Sequence, residues 1–261
     1  MTQTDKAAAL RALHERGQPF VIANGWDAAS ARMLEAAGFQ ALATSSAAAA
    51  EVVGKRDGQL TRDEKMAHLR MLVGVTGLPI SADLGNGFGA SPEDCAETIR
   101  QAAEAGAVGG SIEDSTGEAD GPALYDFERS VARVAAAVEA ARQLPFRFTV
   151  TARAENFFQG VPDLDDTIRR LQAYERAGAD VLFAPLLPDL DAVRRVCASV
   201  SKPVNFMNGV PGKSHSVAVL GEAGVRRISV ATSLFRHAMK AARQAADEIL
   251  AQGTFGYIDR G

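Results

Sequence analysis

Four acids and one arginine occupy positions where side chains can do chemistry: Asp57, Asp83, Glu113, Glu155 and Arg153. Asp83 and Glu113 each close a short apolar run, Arg153 and Glu155 follow another, and Asp57 lies in a longer loop. If those runs are parallel strands, their ends converge on one mouth, where β/α folds collect function. Hard carboxylate oxygens gathered this way suit Mg²⁺, or Mn²⁺ in its place. Such an ion keeps several waters and takes only one or two direct carboxylates. Arg153 is then the one cation of the set, suited to a bidentate grip on the far end of an anionic substrate. A lone strand-end acid is commonly a helix cap or a structural pair. The gathering of several is what points to a site.

The elements that must position these residues can be read from the pattern. Short apolar runs at Phe20–Ala23, Ala41–Thr44, Pro79–Asp83, Val108–Glu113, Arg147–Ala152, Asp180–Phe183, Pro203–Phe206 and Arg227–Val230 alternate with Ala-rich segments of helical period. Most of the runs lack polar alternation, as expected of parallel strands covered on both faces. Thr61-Arg62-Asp63-Glu64 is a capping-box pattern, and Ser91-Pro92-Glu93-Asp94 places an N-cap serine before a helix-starting proline. A phrase of helix end, glycine and next strand recurs at Gly38, Gly106, Gly178 and Gly224. Eight strands with intervening helices predict a single-domain (β/α)₈ barrel over residues 1–261, with an open doubly wound sheet as the alternative. The amphipathic segment Ser233 to Gln252 is the eighth helix, and Thr254–Gly261 is a tail.

The chain carries 28 basic against 32 acidic residues, a formal charge of −4 with no basic stripe, so nucleic acid is not an expected partner. Cys95 and Cys197 are too few for a disulfide framework and are not spaced as a metal knuckle. No apolar stretch approaches the roughly 20 residues that span a bilayer. The polar opening Met1-Thr2-Gln3-Thr4-Asp5-Lys6 lacks a signal-peptide core. A cytoplasmic α/β protein is the expectation.

At the strand ends the residues also resemble a known family. Asn24-Gly25-Trp26-Asp27, Ala43-Thr44-Ser45-Ser46-Ala47, Asp57-Gly58-Gln59-Leu60-Thr61, Ala82-Asp83-Leu84-Gly85-Asn86-Gly87, Gly110-Ser111-Ile112-Glu113-Asp114 and Thr151-Ala152-Arg153-Ala154-Glu155 are similar, in matching order, to the phosphoenolpyruvate mutase/isocitrate lyase family. Pro203-Val204-Asn205 and Gly224-Val225-Arg226-Arg227-Ile228-Ser229 continue the match. The resemblance implies a barrel whose eighth helix is exchanged in a homodimer or homotetramer, with Mg²⁺ and a small α-oxo acid ligand. It implies Asp83 nearest the metal, with Asp57 and Glu113 holding it largely through water. It also implies a carboxylate cradle at Ser45, Ser46 and Ala47, and substrate contacts from Asp83, Arg153 and Asn205. Catalysis falls to Asp57, Glu113 and Arg153.

The departures from the family pattern narrow the activity. Lyases of the family carry an acid–base Cys on the loop after the fourth strand, and mutases carry Lys and Asn there. Here that loop reads Ser115-Thr116-Gly117-Glu118-Ala119-Asp120-Gly121. Gly85 stands where a further metal-cluster acid is expected, and the mutase histidine after the sixth strand is replaced near Phe183-Ala184-Pro185. What survives is a metal, a carboxylate cradle and an arginine, which suffice to polarise an α-oxo carbonyl and stabilise an enolate. The expected reaction is decarboxylation or C–C cleavage of an oxaloacetate-like α-oxo dicarboxylate. The alternatives are a non-catalytic oxo-acid binder and a phosphonate-acting mutase or hydrolase.

Lesser signals carry structural expectations. Gly85-Asn86-Gly87-Phe88-Gly89-Ala90 fits a dinucleotide fingerprint, but Ser91-Pro92 starts the helix after the glycines rather than around them. His14, His68, His215 and His237 are expected to be solvated or capping, and His215 is the one placed to reach the mouth. Cys95 and Cys197 read as buried and inert, and Trp26 as packing. The Ala47–Ala50 run reads as tight packing or a loop entry.

Overall fold

The computed structural model describes residues 1–118 and 121–260. Eight parallel strands close a barrel in chain order: β1 (Phe20–Asn24), β2 (Leu42–Ala43), β3 (Ile80–Asp83), β4 (Gly109–Glu113), β5 (Thr149–Arg153), β6 (Val181–Phe183), β7 (Val204–Met207) and β8 (Arg227–Ser229). Strand β8 pairs back onto β1, with Phe20 opposite Arg227, so no sheet edge is left open. The fold is therefore the (β/α)₈ barrel and not the open sheet. Each expected run contains or overlaps its strand within two residues, and β5 runs on to carry Arg153 at its last position.

The helices are α1 (Gln3–Glu15), α2 (Ala28–Ala36), α3 (Ser46–Val52), α4 (Arg62–Val73), α5 (Pro92–Glu104), α6 (Phe127–Arg142), α7 (Leu164–Arg176), α8 (Leu190–Ala198), α9 (Val217–Glu222) and α10 (Ser233–Gln252). Both cap readings hold. Thr61 and Ser91 each exchange reciprocal hydrogen bonds with the residue three on, and Pro92 opens α5. The four joint glycines adopt φ values of +94° to +98°, which a side chain rarely tolerates. At Gly106 an added Cβ would also meet Val73 Cγ1 at 2.6 Å, so the turn demands glycine twice over.

Three local expectations need correction. Of the two readings for Ala47–Ala50, tight packing holds and the loop entry does not: the run is the body of α3, with Ala48, Ala49 and Ala50 buried and the Ser45 hydroxyl capping the Ala48 N–H. An uninterrupted alanine run carries no apolar period, yet alanine is the best helix former. The tail contains a 3₁₀ turn at Ile258–Arg260, while its last residue, Gly261, lies outside the described residues. His14 and His68 are not solvated. His14 is buried on α1, donates Nδ1–H to the Leu10 carbonyl and meets Phe20 edge-on, and His68 bonds the Trp26 carbonyl.

Helix α1 closes the barrel's lower end, where Ala7, Leu10 and Leu13 pack with Phe20, Ile22, Ala41 and Val108. The larger core lies between the strands and the helix ring. Cys95 is sealed within it, and burial pushes its thiol up to about 11, an inert setting. No helix among the described residues is long and apolar enough to cross a membrane.

Candidate active site

Parallel strands put their last residues on one rim, and here the rim surrounds a cavity of about 740 Å³. Asp83 ends β3, Glu113 ends β4 and Arg153 ends β5, so the register that pairs Asp83 with Ser111 and Glu113 with Arg153 makes the three neighbours. Arg153 Nη1 lies 3.3 Å from Glu113 Oε2 and 3.9 Å from Asp83 Oδ1, while its Nε is hydrogen-bonded to Glu155. One guanidinium thus faces three carboxylates, and the rings of Phe158 and Phe183 close over its faces. Its Nη2 makes no hydrogen bond among the described residues.

Each acid is held differently. Asp83 Oδ2 accepts the Ser46 N–H at 2.9 Å, and the Asp83 N–H donates to Thr44 Oγ1 at 2.9 Å. Burial pushes the Asp83 carboxyl up, but Arg153, Lys65 and the Ser46 bond outweigh it and hold the group below its usual range. Glu113 accepts the Ser115 hydroxyl at 2.6 Å, yet burial keeps its carboxyl above the usual range. Glu155 is fully buried, its Oε2 has no hydrogen-bond partner, and burial drives it up to about 8. Its N–H donates to Asp114 (2.8 Å), which is tied to Tyr174 (2.6 Å) and Arg170 (3.0 Å). That outer layer fixes the Glu155 backbone, and it is invisible in the sequence because Tyr174 and Arg170 sit on α7.

The site residues named from sequence divide accordingly. Ser45, Ser46, Ala47, Asp57, Asp83, Arg153 and Asn205 all line the cavity. Asp57 stands apart from the other acids: it is exposed on the loop between α3 and α4, and its carboxylate accepts the N–H of its neighbour Gly58. The Ser46 N–H, expected to face a ligand, is occupied by Asp83. Asn205 spends its amide on Arg227 and Ser229. His237, not His215, lines the mouth, beside Arg236 and Lys240 of α10, whereas His215 leans on Phe206.

Lys65 was not anticipated. It is fully buried on α4 and donates to Thr44 Oγ1 at 3.0 Å, behind the rim. The hydroxyl therefore accepts from both Lys65 and the Asp83 N–H. The glycine-rich loop is also accounted for. Buried Arg133 bonds the Gly89 carbonyl at 2.7 Å and the Asn86 carbonyl, so this segment is clamped by a side chain.

Among the described residues no three acids, histidines or cysteines converge as a direct metal cage, so the trio Asp83, Glu113 and Asp57 does not assemble as direct ligands. The donor chemistry nevertheless fits a magnesium ion that keeps most of its water. Asp83 offers a hard oxygen at the cavity wall, and three carboxylates outnumber the one guanidinium paired with them.

The sequence profile of phosphoenolpyruvate phosphomutase matches residues 10–250. The chain belongs to that family. Within the wider phosphoenolpyruvate mutase/isocitrate lyase group, a 2-methylisocitrate lyase of Aeropyrum pernix is 30% identical over 94% of this chain and 80% of its own. A Burkholderia cenocepacia J2315 structure, whose name leaves lyase or mutase open, is 52% identical with a TM-score of 0.96, over 99% of this chain and 92% of that one. A 2,3-dimethylmalate lyase structure has 29% identity and a TM-score of 0.87, over 98% and 90%. At 24% identity a phosphonopyruvate hydrolase solved with oxalate and Mg²⁺ shares the family fold, with a TM-score of 0.87 over 100% and 91%.

Proposed function

We propose that this chain is a Mg²⁺-dependent carbon–carbon lyase for a small α-oxo dicarboxylate, decarboxylating or cleaving an oxaloacetate-like substrate. The observation that carries the reading is the set of three carboxylates around Arg153 at the barrel mouth, with Asp83 facing the cavity. Two relatives named as lyases, for 2-methylisocitrate and 2,3-dimethylmalate, support C–C cleavage, and the hydrolase bearing oxalate and Mg²⁺ supports the ion and the ligand class.

Asp83 would hold the ion directly, with Glu113 and Asp57 acting through water. Bound there, Mg²⁺ supplies a Lewis acid for the keto oxygen. The protein does the rest. The free Nη2 of Arg153 takes a substrate oxygen, and the start of α3 seats the carboxylate next to the keto group through Ala47 and the Ser45 and Ser46 side chains, the Ser46 N–H being held by Asp83. The C–C bond to the leaving carboxylate breaks, its electron pair passes into the keto group as an enolate, and carbon dioxide departs. Proton return to that carbon completes the step, and Asp57, exposed at the cavity wall, is the group placed to relay it. Phe158 and Phe183 keep water from the guanidinium faces.

We place α10 in a neighbouring subunit's interface. Leu234 and Phe235 at its start pack on the barrel, but Met239, Ile249 and Leu250 are exposed, so the rest of its apolar face is uncovered among the described residues. Exchange of this helix would give a dimer or tetramer, checked by light scattering on the purified protein.

Product analysis by proton NMR with oxaloacetate and Mg²⁺, corrected for the uncatalysed rate, tests the reaction. Pyruvate, or oxalate with acetate, formed faster with protein and suppressed by chelator supports it. A second reading is favoured by the sealed Cys95: with no acid–base thiol, the pocket binds an oxo acid and turns nothing over. Ligand-induced thermal stabilisation with no product over hours would select that reading.

A further inference from the structure

Arg227 opens β8 inside the barrel and lines the cavity with only 5% of its surface exposed. Its Nε donates to Asn205 Oδ1 at 2.8 Å and its Nη2 to Thr151 Oγ1 at 3.1 Å. Nη1 is sealed and has no hydrogen-bond partner. Both partners are neutral, and no carboxylate among the described residues lies within ion-pair distance. Arg153 faces three acids, Arg170 two and Arg142 one. Buried Arg133 also lacks a carboxylate, but backbone carbonyls take its Nη donors and it lies away from the cavity, whereas Arg227 lines it. Burial without a counter-charge pulls the guanidinium down to about 9. A buried, uncompensated cation with an idle donor is costly, and at a cavity wall an arriving anion would offset that cost.

Its surroundings are built to hold it in place. The donated Nε–H fixes the Asn205 amide with oxygen toward Arg227 and nitrogen toward Ser229 Oγ, 3.0 Å away. Thr151 lies two residues before Arg153 on β5, so Arg227 acts about 7 Å below the rim guanidinium. The cavity therefore has two cationic levels of different character. The upper one is already neutralised by protein acids, and the lower one is not.

We propose that Arg227 is an anion-binding residue for the ligand's second carboxylate, held by Asn205 and Thr151 and selecting diacids over monoacids. This rests on the oxo-acid reading above and adds to it a residue that neither the acid cluster nor the cradle at Ser45–Ala47 includes. The free Nη1 and the unpaired charge are the parts a carboxylate would complete, after a side-chain shift that exposes Nη1.

Calorimetric titration of the full-length protein with Mg²⁺ present compares 2-oxoglutarate with 2-oxopentanoate, its monoacid counterpart of equal chain length. The unaltered protein should bind the diacid at least about tenfold more tightly. Arg227→Met should remove that preference while monoacid affinity stays within about twofold, and Arg227→Lys should keep part of it. Equal affinities for the two acids in the unaltered protein overturn the proposal and leave the oxo-acid pocket standing. Binding of neither acid overturns both. Should Arg227→Met not fold, a crystal of the unaltered protein with 2-oxoglutarate decides: the distal carboxylate against Arg227 supports the assignment, and any other position refutes it.

Discussion

Glu113 and Arg153 are register partners across β4 and β5, and the same pairing that closes this part of the barrel sets their charged groups 3.3 Å apart. Backbone geometry alone therefore brings a carboxylate and a guanidinium together at the rim, and Asp83 and Glu155 add two further negative charges to the same cation. Removing that cation should be costly. Arg153→Met leaves buried carboxylates uncompensated and should lose about 3–5 kcal/mol in chemical denaturation. Millimolar Mg²⁺ should raise the melting temperature of this variant more than that of the parent, because the ion replaces the missing positive charge. Equal Mg²⁺ responses would show that the acids do not share a cation site.

Arg133 is the internal brace of the loop between β3 and α5. Its guanidinium bonds the Gly89 and Asn86 carbonyls and lies 4.2 Å from the centre of the Tyr125 ring. Arg133→Met strands those carbonyls and should cost about 3 kcal/mol. Amide exchange localised to residues 85–90 checks it, since a purely global loss would leave that loop no more exposed than its neighbours.

Gly38 and Gly106 separate backbone strain from steric exclusion. Both have a left-handed φ, +94° and +97°, but a Cβ at Gly38 would meet nothing within 4 Å, whereas at Gly106 it would strike Val73. Gly38→Ala should lose about 1 kcal/mol and Gly106→Ala clearly more, roughly 2–4 kcal/mol. Urea denaturation of the two single variants measures the difference directly.

His14 is kept neutral by burial, which lowers its folded pKa from 6.5 to about 3. The unfolded chain therefore binds a proton that the folded chain refuses. Its contribution to stability is complete above pH 6.5 and declines by about 1.4 kcal/mol per pH unit as the pH falls toward 3. Glu155, raised to about 8, acts in the opposite sense, losing its contribution as pH rises from 4.5 through 8, so the parent profile alone mixes the two. The comparison to make is His14→Phe against the parent. The variant should gain relative stability at that slope between pH 6.5 and 4, and parallel curves would contradict the burial argument.

The limits of the sequence reading follow from what a linear pattern contains. The four glycine joints, the caps at Thr61 and Ser91 and the limits of α10 are local, and all were legible because their physics is completed within a few residues. The convergence of Asp83, Glu113 and Glu155 was legible too, since strand ends share a rim. Asp57 reaches the same mouth but stands apart from the three acids around Arg153, because a long loop carries no register to set its distance from them. Lys65 and Arg227 escaped notice for a related reason. One lies on a helix and the other at the start of a strand, and only barrel closure shows that both end beside cavity-lining residues. The occupied Ser46 N–H was likewise beyond reach, because it depends on α3 forming where an alanine run gave no periodic signal.

Calorimetric titration of Mg²⁺ or Mn²⁺ in the presence of oxalate, on the parent and on Asp83→Ala, bears most directly on the divalent ion at the rim. One ion per chain, bound more tightly with oxalate and lost in the variant, is the predicted result. No uptake with or without oxalate, or equal uptake by both proteins, would contradict a metal held by Asp83.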